Sequence, residues 1–455
     1  MKSFVNSGGR LDRLPIGSFH YRIMWLIGIG MFFDGFDIYL GGSVVAATYK
    51  SGFSTLGQNA LFVSLTFVGM MVGAFVTGFL GDRYGRRFTY QVNLLLFGLA
   101  SLAAAFAPNM TVLIFLRFLM GMGLGAENVV GYSTITEFVP ASTRGRWLGF
   151  VAVFVVTGLP VASLLGYLIV PHFGWRGMFI LGGVGALIVW YMRKNLPESP
   201  RWLEAVGRGD EADALLKTIE QQASQSGPLP EPLVPALPAA QVSFAALFAP
   251  PLLNRMVVGC VCLIVINTLL YGFVAWLPTF FVKEGLSIAK SFGYALLMGL
   301  GAPVGSAIGA LTADGWGRKP TIIGASLLTI GLGLIYPVIT NPILLPLVGF
   351  ALMIPIYVLV ALLFGVYIPE LFPTEVRLRA SGICNTFGRG ATIVTPFIVV
   401  SRFNSGGVAG VMAMMIVLLA VQILVVLFLG IEPANRRLED MKPSEGKPSG
   451  YSLKI

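Results

Sequence analysis

Twelve apolar stretches recur along the chain, each bounded by charge, proline or glycine. They run roughly over 21–48, 58–80, 88–107, 110–138, 146–171, 176–193, 253–282, 288–312, 320–339, 342–369, 379–400 and 407–430. A helix needs about 20 mostly apolar residues to cross a bilayer, so stretches of this length and number leave few folds open other than a helical membrane protein. Composition agrees, since 56% of the 455 residues are hydrophobic and only 11% are charged, against about 25% charged in soluble domains. Soluble enzymes, disordered tails and nucleic-acid binders are excluded on this ground. The first apolar stretch is far longer than a signal-peptide core and is read as a retained span.

The net charge of +10, from 31 Lys and Arg against 21 Asp and Glu, requires no nucleic acid, because the cations sit in short clusters between spans. With a cytoplasmic N-terminus, 24 of them fall on the side of the termini, Arg193 and Lys194 included. Lys50, Arg176, Lys283, Lys290 and Arg402 lie on the other side, and Arg117 and Arg389 fall within spans. That asymmetry predicts that both termini are cytoplasmic. Cys260, Cys262 and Cys384 lie inside apolar runs, which argues against a disulfide framework or a metal site. No cofactor is expected.

Between the sixth and seventh spans, residues 199–224 carry Trp202, Ala205, Leu215, Leu216 and Ile219 at helical spacing among many charges, which predicts short amphipathic helices at the membrane face. Seven prolines between 228 and 251 predict an extended tether. The expected domains are therefore a six-helix bundle over 1–194, a cytoplasmic central loop over 195–250, and a second six-helix bundle with a tail over 251–455.

Internal repetition relates the two halves. Gly81, Asp82, Arg83, Tyr84, Gly85, Arg86 and Arg87 after the second span are echoed by Ala313, Asp314, Gly315, Trp316, Gly317, Arg318 and Lys319 after the eighth, at an offset of 232. Glu137, Pro140 and Arg144 recur as Glu370, Pro373 and Arg377 at an offset of 233. Two motifs agreeing on one offset indicate a duplicated six-helix unit, and the chain resembles the major facilitator superfamily of secondary transporters. The expected fold is all-α, twelve transmembrane helices in two six-helix bundles related by a pseudo-two-fold. The Asp-Arg-x-Gly-Arg-Arg loop is the hallmark of that superfamily. Gly81 and Gly85 permit a tight turn, and Asp82 accepts charge-assisted bonds from Arg83, Arg86 or a neighbouring helix. The expected cytoplasmic latch thus comprises Asp82, Arg83, Arg86, Arg87, Glu137 and Arg144, with Asp314, Arg318, Lys319, Glu370 and Arg377 repeating it.

Charges inside spans cost several kcal/mol unless paired or wet, and here they are Asp34, Asp37, Arg117, Glu127 and Arg389. Counted from the outer helix ends, Asp37 and Arg117 differ in depth by only about 6 Å at ~1.5 Å per residue, so they can pair. A carboxylate beside a guanidinium keeps its charge, and the same group alone in a dry site takes up a proton. An alternation that makes and breaks the contact would load and release a proton; a static ion pair is the other reading. Proton-coupled sugar porters, which the chain resembles, pair the acid of a Gly-aromatic-Asp motif with the arginine of an Arg-x-x-x-Gly-x-Gly-x-Gly run, matched here by Gly35, Phe36, Asp37 and by Arg117, Gly121, Gly123, Gly125. Asp34 and Glu127, near the same depth, are candidates for a second proton site or a substrate ligand. Arg389 is suited to an anion, unless it snorkels or reaches Glu370. Asn128, Asn267 and Asn385, with Tyr39, Tyr132, Tyr271, Trp276 and Tyr357, complete the candidate substrate groups, since an unsatisfied amide in lipid is costly.

Pro197 to Trp202 and the set Glu370, Phe372, Pro373, Thr374, Arg377 are similar to the sugar-porter-like assembly, yet Ile266, Asn267, Thr268 and Leu269 stand where sugar porters carry a glutamine pair. Asp34, Gly35, Phe36, Asp37 is similar to the signature of aromatic acid/proton symporters. Gly125, Ala126, Glu127 and Asn385 to Arg389 resemble bacterial nicotinate-type organic-ion carriers. These resemblances imply a proton-coupled importer of a small organic anion, an aromatic or heteroaromatic carboxylate, working as a monomer in a bacterial inner membrane, with no catalytic activity. The rivals are a sugar or polyol proton symporter, a proton-driven exporter, and a ligand-binding membrane receptor.

Overall fold

The computed structural model describes residues 5–140, 143–194, 196–225, 227–232, 247–250, 252–372 and 376–432. Regular structure among the described residues is helical throughout. A short α1 (Ser7–Asp12) precedes α2 (Ser18–Lys50), α3 (Leu56–Tyr84), α4 (Arg86–Ala105), α5 (Met110–Phe138) and α6 (Arg144–Arg193). The central loop forms α7 (Pro200–Ala205) and α8 (Gly209–Ser224). Then follow α9 (Leu252–Gly272), α10 (Leu277–Lys283), α11 (Ile288–Gly299), α12 (Gly301–Trp316), α13 (Arg318–Ile335), α14 (Leu344–Leu362), α15 (Ile368–Glu370) and α16 (Arg377–Leu429). Ten helical stretches among the described residues are long and apolar enough to cross a membrane.

Local chemistry sets the boundaries. Thr55 and Gln58 exchange hydrogen bonds across the first turn of α3 as a capping box. Asn109 accepts from the Val112 N–H at 3.0 Å to start α5, and Ser199 followed by Pro200 starts α7. The turn between α3 and α4 is made by Gly85 at φ 93°, and its counterpart Gly317 at φ 87° joins α12 to α13. A side chain there would be strained. Gly81, expected to share in the turn, stays helical. Two longer stretches are interrupted where φ turns positive, α6 at Gly174 and α16 at Gly407.

The chain divides into two compact units. The first comprises Met1–Leu237, Tyr271–Pro303 and Thr392–Val408, and the second Pro238–Leu270, Val304–Ala391 and Ala409–Ile455. Within the first, α2 packs on α5 and α6, α3 on α5, α4 on α5 and α6, α10 on α2, and α11 on α6. The α3/α5 contact is a glycine seam: a Cβ at Gly121 or Gly125 would strike the carbonyl of Thr66 or Met70, and one at Gly69 or Gly73 that of Phe118 or Met122. Small residues permit such approach where lipid supplies no hydrophobic drive between helices. Within the second unit α13 packs on α14, and Gln422 of α16 donates to the Ser326 hydroxyl of α13 at 3.0 Å.

The central loop folds as expected over 200–224. Trp202, Leu203, Ala212, Leu216 and Ile219 are buried, whereas Ala205 is exposed because α7 ends there. Most of the proline-rich tether, 233–246 and 251, lies outside the described residues. The segment over residues 5–14, ahead of the first span, is a docked element. Glu204 accepts from the backbone N–H groups of Val5, Asn6 and Ser7 at 2.7, 3.0 and 2.8 Å. Arg10 bridges to Asp213 and Glu220, and Arg13 to Glu220. Leu11 and Leu14 join an apolar cluster with Ile23, Ile27, Phe138, Leu216 and Ile219.

Candidate functional site

Gly30, Asp34, Asp37 and Gly41 follow one another at i, i+4, i+7 and i+11 along α2, which places them on one face of the helix. Each meets a polar group. Arg117, at 2% exposure, donates to Asp37 Oδ2 at 2.5 Å, to the Asp37 carbonyl at 3.0 Å and to the Thr66 hydroxyl at 3.0 Å. Its guanidinium also lies 5.1 Å from the Phe62 ring centre. The glycine seam between α3 and α5 brings Thr66 within reach, and Gly41 leaves the guanidinium room, since a Cβ there would stand 3.0 Å from Nη2. Asp37 is wholly buried, and its Oδ1 has no hydrogen-bond partner among the described residues. One carboxylate oxygen is thus held by a cation while the other is buried without a hydrogen-bond partner among the described residues.

One turn toward the N-terminus, the Asn128 amide donates to Asp34 Oδ2 at 2.9 Å and to the Leu124 carbonyl at 3.1 Å. Glu127 turns to a partner the sequence reading placed elsewhere. Charge counting places Arg193 among the loop cations, but it is fully buried and forms an ion pair with Glu127. It also donates to the carbonyls of Leu26 and Ile27 at 2.8 and 2.9 Å and lies 5.7 Å from the Tyr90 ring centre. The last residue of α6 thereby ties α2 to α5. Its position at a span end, next to Lys194, gave a loop signal; only the excess of buried acid over buried base in the first half hinted at a second guanidinium.

The remaining candidates divide between the two units. In the first, Tyr39 and Tyr132 are half-buried. Tyr271 meets Phe67 edge-on at 4.5 Å. Trp276 is buried on Phe280, and its indole N–H has no partner among the described residues. In the second unit Tyr357 is buried and Arg389 half-buried. Asn267 donates to the Leu263 carbonyl at 2.7 Å and packs on Gly388, next to Arg389. Asn385 is exposed, with its amide on the Ser381 carbonyl of its own helix.

The structure brings most of the latch residues into two like clusters. Arg86 donates to Glu137 Oε1 at 3.0 Å and to the Gly81 carbonyl at 2.6 Å. Arg318 makes two bonds to Glu370, at 2.9 and 3.1 Å, so Glu370 serves Arg318. Each cluster has a member whose role was not legible in the sequence. Glu198 accepts from the N–H groups of Arg86 and Arg87 at the start of α4, and Glu432 from those of Arg318 and Lys319 at the start of α13. An acid there complements the helix dipole. Arg87 and Lys319 cap carbonyls at the ends of α6 and α16, those of Lys194 and of Leu427 and Gly430. Arg83 lies over the Tyr84 ring rather than in the cluster, and Arg144 stands 3.8 Å from Asp12 rather than at Glu137. The side chains of Asp82, Asp314 and Arg377 lie outside the described residues.

Comparison with known proteins places this arrangement. The family described as sugar (and other) transporter matches residues 23–444. The inner membrane metabolite transport protein YdjE of Escherichia coli K12 is 37% identical over 97% of this chain and 99% of that protein. The niacin transporter NiaP of Acinetobacter baylyi is 33% identical over 95% and 98%. In fold, the chain is similar to the xylose transporter XylE from E. coli in a partially occluded inward open conformation, with a TM-score of 0.68, 20% identity, and coverage of 89% of this chain and 97% of that one. It is a multi-pass membrane transporter of metabolites, not an enzyme. Whole-length identity to metabolite carriers, the family match and the shared fold make the chain a member of the sugar (and other) transporter family, within the major facilitator superfamily.

Proposed function

We propose that this chain imports a small organic anion, an aromatic or heteroaromatic carboxylate, together with protons, by alternating access. Twelve spans follow if α6 and α16 each count as two. At ~1.5 Å per residue a helix of 50 residues would reach about 75 Å, far beyond the ~30 Å of a bilayer core, and the breaks at Gly174 and Gly407 supply the turns. Two six-helix bundles, over 1–194 and 251–455, then rock as bodies joined by the central loop, with both termini in the cytoplasm and a monomer as the working unit. The clusters of Arg86 with Glu137 and of Arg318 with Glu370 latch the cytoplasmic side.

The observation that carries the proton-coupled reading is the sealed contact of Asp37 with Arg117, whose second carboxylate oxygen has no partner among the described residues. Leaving a buried acid without its cation costs about 3–5 kcal/mol, enough to favour its protonated form whenever the pair opens. Asp34, on the same face of α2, and Glu127 are the further acids of this machinery. Arg389 would take the carboxylate, with Asn267 packed beside it, and the niacin carried by the A. baylyi relative is an anion of this kind. The xylose transporter whose fold is shared supports the second reading, a sugar or polyol symporter.

The test is uptake of nicotinate and of xylose by proteoliposomes under an imposed proton gradient. Nicotinate is expected to accumulate only with the gradient. Asp37→Asn is expected to abolish accumulation while retaining nicotinate exchange. Accumulation of xylose without nicotinate would favour the second reading, and unchanged gradient-driven uptake by Asp37→Asn would remove Asp37 from the coupling.

A further inference from the structure

Beyond the C-terminal end of α2 lies an open cleft of about 700 Å³ that belongs wholly to the first unit and contains none of the candidate site groups above. Tyr49, Lys50, Ser54, Thr55, Val282 and Lys283 form much of its wall. Two cations therefore face one space, and no carboxylate among the described residues lines it. Lys283 is held in place: its ammonium donates to Asn404 at 3.3 Å and sits 5.8 and 5.7 Å from the ring centres of Tyr49 and Phe403. An ammonium over a ring is attracted to it, yet Lys has three donors and only one is used in that bond. Ser54 is 7% exposed, and its buried hydroxyl has no partner among the described residues, an omission that calls for an explanation.

The wall chemistry selects its guest. Two ammoniums repel a cation, and a sugar would find few acceptors for its hydroxyls. A carboxylate complements the charge of both lysines, while Tyr49 offers its ring to a flat apolar body. The surroundings favour the same sign of charge. With cytoplasmic termini, the opposite face carries Lys50, Arg176, Lys283, Lys290 and Arg402 against Glu284 as its one acid. Burial pushes the Glu284 carboxyl above the usual range. Such a field raises the local concentration of anions and their rate of arrival.

We propose that the cleft bounded by Tyr49, Lys50, Ser54 and Lys283 is a capture site for an aromatic carboxylate on the outer face, occupied before the substrate enters the transport path. This rests on the organic-anion reading above, and the test separates the two. Lysine acetylation of the purified full-length protein is measured by mass spectrometry with and without sodium nicotinate, at ionic strength matched with sodium chloride. Acetylation of Lys50 and Lys283 is expected to fall about threefold or more in nicotinate, and that of Lys290, on the same face but outside the lining, to stay level. Equal labelling of all three lysines with nicotinate and with chloride would overturn the capture site. In proteoliposomes, the double variant Lys50→Gln/Lys283→Gln is expected to raise the KM for nicotinate about three- to tenfold at low salt with kcat retained, and to flatten the salt dependence. An unchanged KM at low salt would likewise overturn it. Protection of the two lysines in a protein that accumulates no nicotinate would leave the cleft standing and sink the transport reading instead.

Discussion

Gly30→Ala sets two physical effects against each other. Glycine in a helix interior is about 1 kcal/mol less favourable than alanine, so propensity alone makes the variant more stable. The structure predicts the reverse. A Cβ at residue 30 would overlap the Arg193 guanidinium and stand 2.7 Å from Glu127 Oε1. A long side chain usually swings clear of such an intrusion, but this one is pinned by the Leu26 carbonyl at 2.8 Å, the Ile27 carbonyl at 2.9 Å and the Glu127 carboxylate. Losing one hydrogen bond to a charged group costs about 1.5–3 kcal/mol, and parting the buried pair costs about 3–5 kcal/mol. After subtracting the helix-propensity gain, the net loss is about 0.5–2 kcal/mol if a single bond goes and about 2–4 kcal/mol if the pair separates. The assay is thermal unfolding of the purified protein in detergent, with Gly324→Ala in α13 as the matched control, since a Cβ there meets nothing within 4 Å. The control is expected to raise Tm and Gly30→Ala to lower it, by about 2–4 °C per kcal/mol in a chain of some 200 residues and less in one of this size. A rise in Tm for Gly30→Ala that matches the control would show that no guanidinium is seated against α2 at that residue.

Arg117→Lys keeps the charge but loses the fork that reaches Asp37 Oδ2, the Asp37 carbonyl and the Thr66 hydroxyl together; gradient-driven uptake is expected to fall at least tenfold, and wild-type rates would show that charge alone suffices. Glu137→Gln is expected to lower Tm more than Glu370→Gln, because the Glu137 side chain is 14% exposed and that of Glu370 30%; the opposite order in a thermal-shift assay would count against the latch energetics. The N-terminal segment is expected to loosen in acid. Burial raises the carboxyls of Glu204 and Glu220, but hydrogen bonds from Ser7, Val5 and Asn6 to the first and from Arg10 and Arg13 to the second leave both below the usual glutamate range. Carboxyls depressed in the fold stabilise it above their unfolded value of about 4.3 and lose that contribution as pH falls through the folded value. The protection of residues 5–14 against hydrogen exchange, relative to the unstructured rate at each pH, should therefore be high at neutral pH and fall below about pH 4; protection that persists there would mean the apolar contacts of Leu11 and Leu14 hold the segment alone.

Periodicity made the spans legible in the sequence, and with them the motif glycines and the depth match of Asp37 to Arg117, because cost in lipid makes a charge in the middle of a span conspicuous. What was not legible required a third dimension. Arg193 sits where a chain leaves the membrane, so charge counting assigned it to solvent; it reaches Glu127 because Gly30 clears a path on a helix more than 160 residues earlier. Glu198 and Glu432 share an offset of 234, close to that of the other motifs, but nothing in one dimension shows that each caps the start of a helix before its own. The N-terminal segment was missed for a related reason: Arg10 and Arg13 face Asp213 and Glu220 across some 200 residues of sequence.

The duplication itself is uneven, and the unevenness bears on mechanism. The charge cluster expected to act as a latch is present in both sequence halves, with Arg86, Glu137 and Glu198 answered by Arg318, Glu370 and Glu432. The intramembrane charges are not. At the offset of 232 to 234, Asp34, Asp37 and Arg193 become Ile266, Leu269 and Leu427, and Arg389 falls on Val156 in the reverse direction. Under the proposed alternating access, a repeated latch suits a motion in which both bundles move alike, because opening one face must close the other with equivalent contacts. The mid-span acids Asp34, Asp37 and Glu127 all fall in the first half, which suits a division of labour: if protons are read by α2 and substrate by Arg389, neither site competes for the other's ligand, and coupling has to pass through the motion the two halves share. Under the proposed mechanism, a substitution at Arg389 should therefore change which substrates are taken while leaving the pH dependence of exchange in place, and one at Asp37 should do the converse. A single substitution that altered both equally would mean that proton and substrate meet at one site.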